Sequence, residues 1–372
     1  MKEWISLNMT PGIGPRKATQ LLEKFGSAEN VFHALRSELE SLRLKPGSIQ
    51  SILKKEFHEK SEAEFERVKK LGGDILVLDD GSYPHLLREI SDPPITLYVR
   101  GNWRECFEAP SIAIVGSRRC STYGKNSAEM LGRDLAENGV CIVSGFARGI
   151  DSSAHKGAVA AKGRTIAVFG TGIDGIYPKE NKKLAEDILD TGGAIVSQFP
   201  LGTPPLRENF PYRNRIISGL SFGVLLIEAS ERSGSLITAR LASEQDREVY
   251  ALPGNITSKT SFGTNYLIKS GAKLVQHWQD VVSEFPAEIS AAILPPKIDE
   301  TNTAREQDKI PQSLSAAERK VFKILRADQH HHIDYLLESS RLSFGELNSA
   351  LINLDLKDLI LILPGNNYAK KA

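Results

Sequence analysis

The sequence predicts an α/β protein: a parallel sheet wrapped by helices, a helical domain before it, and a small helix-and-hairpin unit after it. Three observations carry this. From Ser111 to about Glu284, short and near-continuous apolar runs alternate with helical stretches, the pattern of strands buried on both faces. Residues 1–70 instead repeat their apolar positions at helical spacing. Residues 313–372 read as helices followed by a hairpin.

In chain order, the helical domain (1–70) shows its clearest periodicity in Ala18–Phe25 and from Ile49 to Phe65. Thr10–Ala18 has the form of a SAM/helix–hairpin–helix-like turn. Gly12 and Gly14 permit a tight turn whose N–H groups can meet a phosphate, and Arg16 and Lys17 open the next helix. The same turn would equally serve to join two helices. Residues 71–285 form the sheet domain. Its runs are Asp74–Leu78, Thr96–Val99, Ile112–Val115, Val140–Val143, Thr165–Phe169, Ala194–Val196, Val224–Ile227, Val249–Leu252 and Lys273–Val275. This is an extended Rossmann-like arrangement. Residues 286–312, with four prolines and many polar residues, read as a linker. Helical runs Ala316–Arg326, Ile333–Ser339 and Phe344–Asp355, then a hairpin around Pro364–Asn367, outline a winged helix.

Composition narrows the function. With 372 residues, 41% hydrophobic and 25% charged, the chain reads as a folded soluble protein of two or three domains. The net charge of +1 means that any nucleic-acid binding relies on local charge. The three cysteines, Cys106, Cys120 and Cys141, are odd in number and lack CxxC spacing, which argues against a disulfide framework and a structural zinc site. No run approaches the ~18 apolar residues of a membrane span. The reading is a cytoplasmic protein without metal or cofactor.

The strand ends carry the functional signal. Gly116-Ser117-Arg118-Arg119, Ser144-Gly145-Phe146-Ala147-Arg148-Gly149, Gly170-Thr171-Gly172, Ser197–Pro200, Glu228–Ser230 with Ser233-Gly234-Ser235, and Pro253-Gly254-Asn255 each follow a strand. In a parallel sheet these loops share one edge, where ligands bind. Small residues there let the backbone approach a ligand. Helix N-termini and Arg118, Arg119 and Arg148 favour an anion. Gly and Ser after a strand are also ordinary turn chemistry, but so many loops on one edge point to a ligand. Gly116 is followed by Ser-Arg-Arg, not by GxGxxG, and no GxxxxGK[ST] appears, so neither a dinucleotide fingerprint after the first parallel strand nor a Walker-type NTPase is indicated. In Asn209–Arg215, Phe210 and Tyr212 stand beside Arg213 and Arg215, and Asn214 lies between the two arginines. Arginines neutralise phosphates and rings stack on unpaired bases, so the segment suits a single strand. An Arg-rich helix start with Phe210 in the core is the structural alternative. Lys179, Lys182 and Lys183 extend a basic track or form a solvated helix face.

A catalytic set is hard to assemble. Asp151 and His155 share a helix face, but an N-cap and a packed ring explain them more simply. Glu228 has no second carboxylate beside it. His330, His331 and His332 lack other ligand types at metal spacing. A nucleotide phosphoribohydrolase of the lysine-decarboxylase-like group is the rival reading, yet Ala239 stands where that group's loop is followed by an acid. An interaction hub with a vestigial cleft is a third.

The series Val115-Gly116-Ser117-Arg118, Ser144-Gly145-x-Ala147-x-Gly149-Ile150-Asp151, Ala154-His155, Tyr177-Pro178, Phe210-Pro211-x-Arg213-Asn214-Arg215-Ile216-Ile217, Ser233-Gly234-Ser235-x-x-Thr238-Ala239 and Pro253-Gly254 resembles the DNA-processing DprA/Smf family over residues 75–285. The resemblance implies a homodimeric, non-enzymatic protein that binds single-stranded DNA, protects it, and loads the RecA recombinase in natural transformation and recombination. It places the strand on Gly116, Ser117 and Arg118, on Ser144, Gly145, Ala147, Arg148 and Gly149, on Lys179, on Phe210, Arg213, Asn214 and Arg215, and on Ser233 and Gly234, with Phe210 as the stacking ring. Gln198 departs from the acidic residue usual in that Ser-x-x-Pro loop.

Overall fold

A computed structural model describes residues 1–294, 314–326 and 329–371. The chain divides into two compact units, Met1–Cys120 with Ala128–Ile293 and Ser121–Ser127 with Leu294–Ala372.

The first unit is built on nine strands: β1 (Gly73–Val77), β2 (Thr96–Gly101), β3 (Ser111–Val115), β4 (Cys141–Ser144), β5 (Thr165–Val168), β6 (Ala194–Ser197), β7 (Gly223–Leu226), β8 (Glu248–Ala251) and β9 (Lys273–Leu274). They form one sheet in the order β1-β2-β6-β5-β4-β3-β7-β8-β9. From β6 to β9 every pairing is parallel. At the other edge β1 and β2 are antiparallel, so the sheet is mixed there. The segment joining them, residues 78–95, holds the one-turn helix His85–Arg88. Along β5, Ile166 and Val168 enter one hydrophobic core while Ala167 and Phe169 enter the other. This alternation buries both faces and explains the near-continuous apolar runs.

Chain order sets the position of the site. From β3 the chain steps outward through β4, β5 and β6, then returns to place β7 on the other side of β3. The connections diverge there, so a crevice opens outside the carboxyl ends of β3 and β7. Helices Ile150–Ala160, Lys182–Asp190, Asn209–Gly219 and Ser235–Glu244 follow β4, β5, β6 and β7.

The N-terminal helices enclose their own core of Trp4, Leu7, Leu21, Val31, Leu39 and Ile52. The periodic stretch from Ile49 to Phe65 is two helices, Pro46–Leu53 and His58–Lys70. Lys55 adopts a left-handed conformation (φ 53°) between them. The break has a packing reason: Ile49 and Ile52 serve the N-terminal core, whereas Phe65 and Val68 pack into the sheet's core. Glu64 accepts a 2.6 Å bond from the Leu201 amide, and Asn8 Nδ2 donates to the Gln198 carbonyl at 3.4 Å. Residues 1–70 thus have a separate core but share the sheet's compact unit.

The second unit contains helices Ala316–Ile324, Ile333–Ser340 and Phe344–Leu356 and a sheet of order β10-β12-β11, with β10 His331–His332, β11 Ile360–Leu363 and β12 Asn367–Lys370. Val321, Leu336, Leu347, Leu351 and Leu354 fill its core. This is the expected winged helix, with β10 added to the hairpin. The stretch expected to be a linker begins with a helix, Ala287–Ile293. Residues 295–313, most of that stretch, lie outside the described residues. Among the described residues no helix is long and apolar enough to cross a membrane.

Candidate nucleic-acid interface

The glycines at the strand ends make room for protein first. A Cβ on Gly145 would fall 2.7 Å from Asp151 Oδ2 and 2.8 Å from both terminal nitrogens of Arg213. A Cβ on Gly170 would fall 2.9 Å from the Phe210 ring. Gly149, at φ 77°, brings its own Cα against the Ser117 carbonyl, 2.4 Å from where a Cβ would stand. The first turn of helix Asn209–Gly219 therefore sits over the crevice and turns it into a surface.

Beneath that surface the charged groups are tied to the protein. Arg213, 3% exposed, donates from Nη1 to the Gly145 carbonyl at 2.6 Å and also to the Val168 carbonyl. Burial pulls its pKa down to about 10, so it remains cationic at neutral pH. Asp151 lies beside it and accepts from the Ala147 amide at 3.2 Å. Burial pushes the Asp151 carboxyl up, and the Arg213 charge works against that. Arg215, also 3% exposed, donates to the carbonyls of Asp92 (3.1 Å) and Tyr212 (2.9 Å) and to Gln198 Oε1 (2.6 Å). Its guanidinium lies 4.4 Å from the Tyr212 ring centroid.

Above the surface the picture reverses. Arg118 is exposed, with its guanidinium 5.4 Å from the Phe210 ring centroid. Phe210 is half-buried and packs at 5.6 Å against Tyr177, which is 46% exposed. Lys179 is exposed nearby in sequence, and exposed Arg148 forms a forked pair with Glu180, one arm at 2.8 Å. A cation and two rings thus present one patch at the strand ends. Tyr212, 40% exposed, lies beside the N-terminal hairpin: its Oη is 3.5 Å from where a Gly14 Cβ would stand.

The expected site residues therefore separate. Arg118, Arg148, Lys179 and Gly234 are exposed, and Gly116, Ser117, Ala147, Gly149, Phe210, Asn214 and Ser233 are partly so. Ser144 is fully buried, with its hydroxyl donating to the Ile114 carbonyl at 2.6 Å. Ser144, Gly145, Arg213 and Arg215, which the sequence places on the strand, are buried and engaged with protein. Tyr177, which the sequence offers only as part of a Tyr-Pro motif, adds a second exposed ring to the patch. The rival catalytic groups are also engaged. Glu228 is 2% exposed, its carboxylate accepts from Thr260 Oγ1 at 3.2 Å, and its carbonyl accepts from the Ser117 amide at 2.8 Å. His155 is fully buried, with Nδ1 2.7 Å from Thr165 Oγ1. Among the described residues no His, Cys, Asp or Glu cluster is arranged to hold a metal.

Comparison with known proteins agrees with this geometry. The model of the DNA recombination-mediator protein A family matches residues 74–286, and that of the DprA winged helix domain matches residues 305–366. Protein Smf of Escherichia coli is 39% identical over 291 residues, covering 78% of this chain and 76% of that protein. DNA processing protein DprA of Streptococcus pneumoniae is 48% identical over 209 residues, 56% of this chain and 73% of its own. The solved structure of the S. pneumoniae protein has a TM-score of 0.68 at 37% identity, over 77% of this chain and 98% of that one. A Helicobacter pylori DNA processing protein A, solved to explain its single-stranded DNA binding mode, has a TM-score of 0.51 at 32% identity, over 57% of this chain and 94% of that one. Sheet order, strand-end motifs and winged helix converge: this chain belongs to the DprA/Smf family of DNA-processing proteins.

Proposed function

We propose that this chain holds single-stranded DNA along the carboxyl edge of its sheet and delivers it to the RecA recombinase, as a cytoplasmic homodimer without catalysis of its own. The observation that carries the reading is the exposed Arg118 guanidinium over the Phe210 ring, with Tyr177 alongside. A ring accepts an unpaired base and a neighbouring guanidinium accepts its phosphate. A duplex hides its base faces, so this patch selects the single strand. The strand contacts Gly116, Ser117 and Arg118, the Ala147–Gly149 turn, Lys179, Phe210, Asn214, Ser233 and Gly234. The relative from H. pylori, described as binding single-stranded DNA, supports the ligand class. RecA delivery rests on family membership. Exposed Phe262, Tyr266 and Leu274 support self-association near the β9 edge.

The test is fluorescence anisotropy with single-stranded and duplex oligonucleotides at two salt concentrations. Wild type should prefer the single strand. Arg118→Ala should lower the salt slope by about 0.7, the value of one phosphate contact on a single strand. Phe210→Ala should weaken binding by roughly 1–3 kcal/mol. Equal affinity for both DNA forms, or wild-type binding by both variants, would sink the reading. RecA delivery fails if the protein does not speed RecA filament growth on a strand already coated by single-strand-binding protein.

A further inference from the structure

The winged-helix unit carries a basic hollow that the sheet-edge site leaves unexplained. Its third helix, Phe344–Leu356, contains Glu346 and Asp355 but no lysine or arginine, and it exposes Phe344, Ile352 and Leu356. Positive charge lies elsewhere in the unit. A hollow of about 640 Å³ is lined by residues including Lys323, Arg326, Gln329, His330, His332 and Tyr335, and no described lining residue is acidic. All six are exposed. Among the described residues a counter-charge nearby is Asp334, whose Oδ2 lies 3.1 Å from His332 Nδ1. Lys370 adds a further cation beside the hollow: its amide donates to the Arg326 carbonyl at 2.9 Å, and its amine lies 4.4 Å from the Phe322 ring centroid.

One wall is aromatic. The His331 ring stacks on Tyr335 with centroids 4.9 Å apart and planes 14° from parallel. Tyr335 remains 50% exposed. Its ring is backed on one side, as a base-stacking platform must be if it is not to turn away when loaded. Cations lining a hollow beside a supported, open ring suit an unpaired nucleotide.

We propose that this hollow is a second single-stranded DNA contact, taking phosphodiester groups on Lys323 and Arg326 and a base on Tyr335. It is a separate contact from the sheet-edge site and does not depend on that reading. The test uses the full chain and labelled oligo-dT with a matching duplex. Lys323→Glu/Arg326→Glu and Tyr335→Ala are each made in wild type and in an Arg118→Ala/Phe210→Ala background. The charge reversals should lower the salt slope on the single strand by about 1.4, two phosphates' worth. Tyr335→Ala should weaken single-strand binding about fivefold or more. Binding that survives in the sheet-edge background should disappear with the reversals. If the reversals perturb folding by circular dichroism, Lys323→Gln/Arg326→Gln gives the same comparison. Unchanged binding in both backgrounds overturns the proposal, as does a loss confined to duplex. Weakening by the hollow variants while Arg118→Ala/Phe210→Ala binds normally would instead fell the sheet-edge reading and leave this one standing.

Discussion

Arg118 and Arg213 meet at the same strand ends and do opposite work. Arg213 lies beneath the first turn of helix Asn209–Gly219, with donors on the Gly145 and Val168 carbonyls and Asp151 close by. Arg118 lies above it, exposed and over Phe210. A buried guanidinium is tolerable when its charge is countered and it has hydrogen-bond acceptors. Arg213 has both, although its Nε is buried without an acceptor among the described residues, and at 3% exposure it offers little surface to a phosphate. The lower layer holds the helix that carries Phe210, and the upper layer is the exposed face proposed to take the strand.

The largest effect should come from the lower layer. Arg213→Met removes the donor from two carbonyls and leaves Asp151 buried without its cation, a loss on the order of 3–5 kcal/mol. Chemical denaturation should show a much lower midpoint. Arg118→Ala, on the surface, should stay within about 0.5 kcal/mol of wild type. Equal stability losses in the two variants would erase the distinction between the layers.

Acid should also act on the lower layer. Burial, with a push from Arg213, lowers the pKa of His155 from 6.5 to about 3. The folded state keeps the ring neutral, whereas the unfolded chain protonates it below its ordinary value. The penalty is therefore absent above about pH 6.5 and grows as pH falls towards 3. Between about pH 6 and about pH 4.5 it should remove roughly 2 kcal/mol, and His155→Gln should flatten that slope. A slope that persists unchanged in the variant would assign it to another group.

A smaller change can move the upper layer from below. Gly170→Ala puts a methyl group 2.9 Å from the Phe210 ring. The ring is half-buried and can shift, so stability should fall by about 1 kcal/mol or less. Single-strand affinity should drop several-fold, although position 170 need not touch DNA. Unchanged affinity would mean that the position of the Phe210 ring does not matter.

These layers show what sequence can and cannot reveal. The strands were legible to within a residue or so, because a strand buried on both faces must be apolar throughout. The loops that gather at the carboxyl edge of the sheet were legible because each follows a strand. The direction each arginine faces was not. Arg213 is satisfied by carbonyls 68 and 45 residues away, and Arg215 by partners 123 and 17 residues away. No local pattern encodes such pairings. Tyr177 escaped for the same reason: it becomes part of the patch only when Phe210 is packed against it.

The finest probe of the lower layer is Gln198. Arginine can only donate, so the oxygen of this amide must face Arg215, as it does at 2.6 Å. Its Nε2 is then buried without an acceptor among the described residues. Gln198→Glu exchanges that stranded donor for a second acceptor. Asp92 already lies 3.5 Å from Arg215 and is shared with Arg16 at 3.9 Å. The added carboxylate therefore gains attraction but bears a desolvation cost, and the net should be a stabilisation of about 1 kcal/mol or less. A double-mutant cycle with Arg215→Met isolates the pair. DNA affinity is the sharper readout. If Arg215 only positions the helix, Gln198→Glu leaves single-strand binding unchanged; if its charge reaches the strand, the new carboxylate weakens binding, and Arg215 belongs with Arg118 in the upper layer.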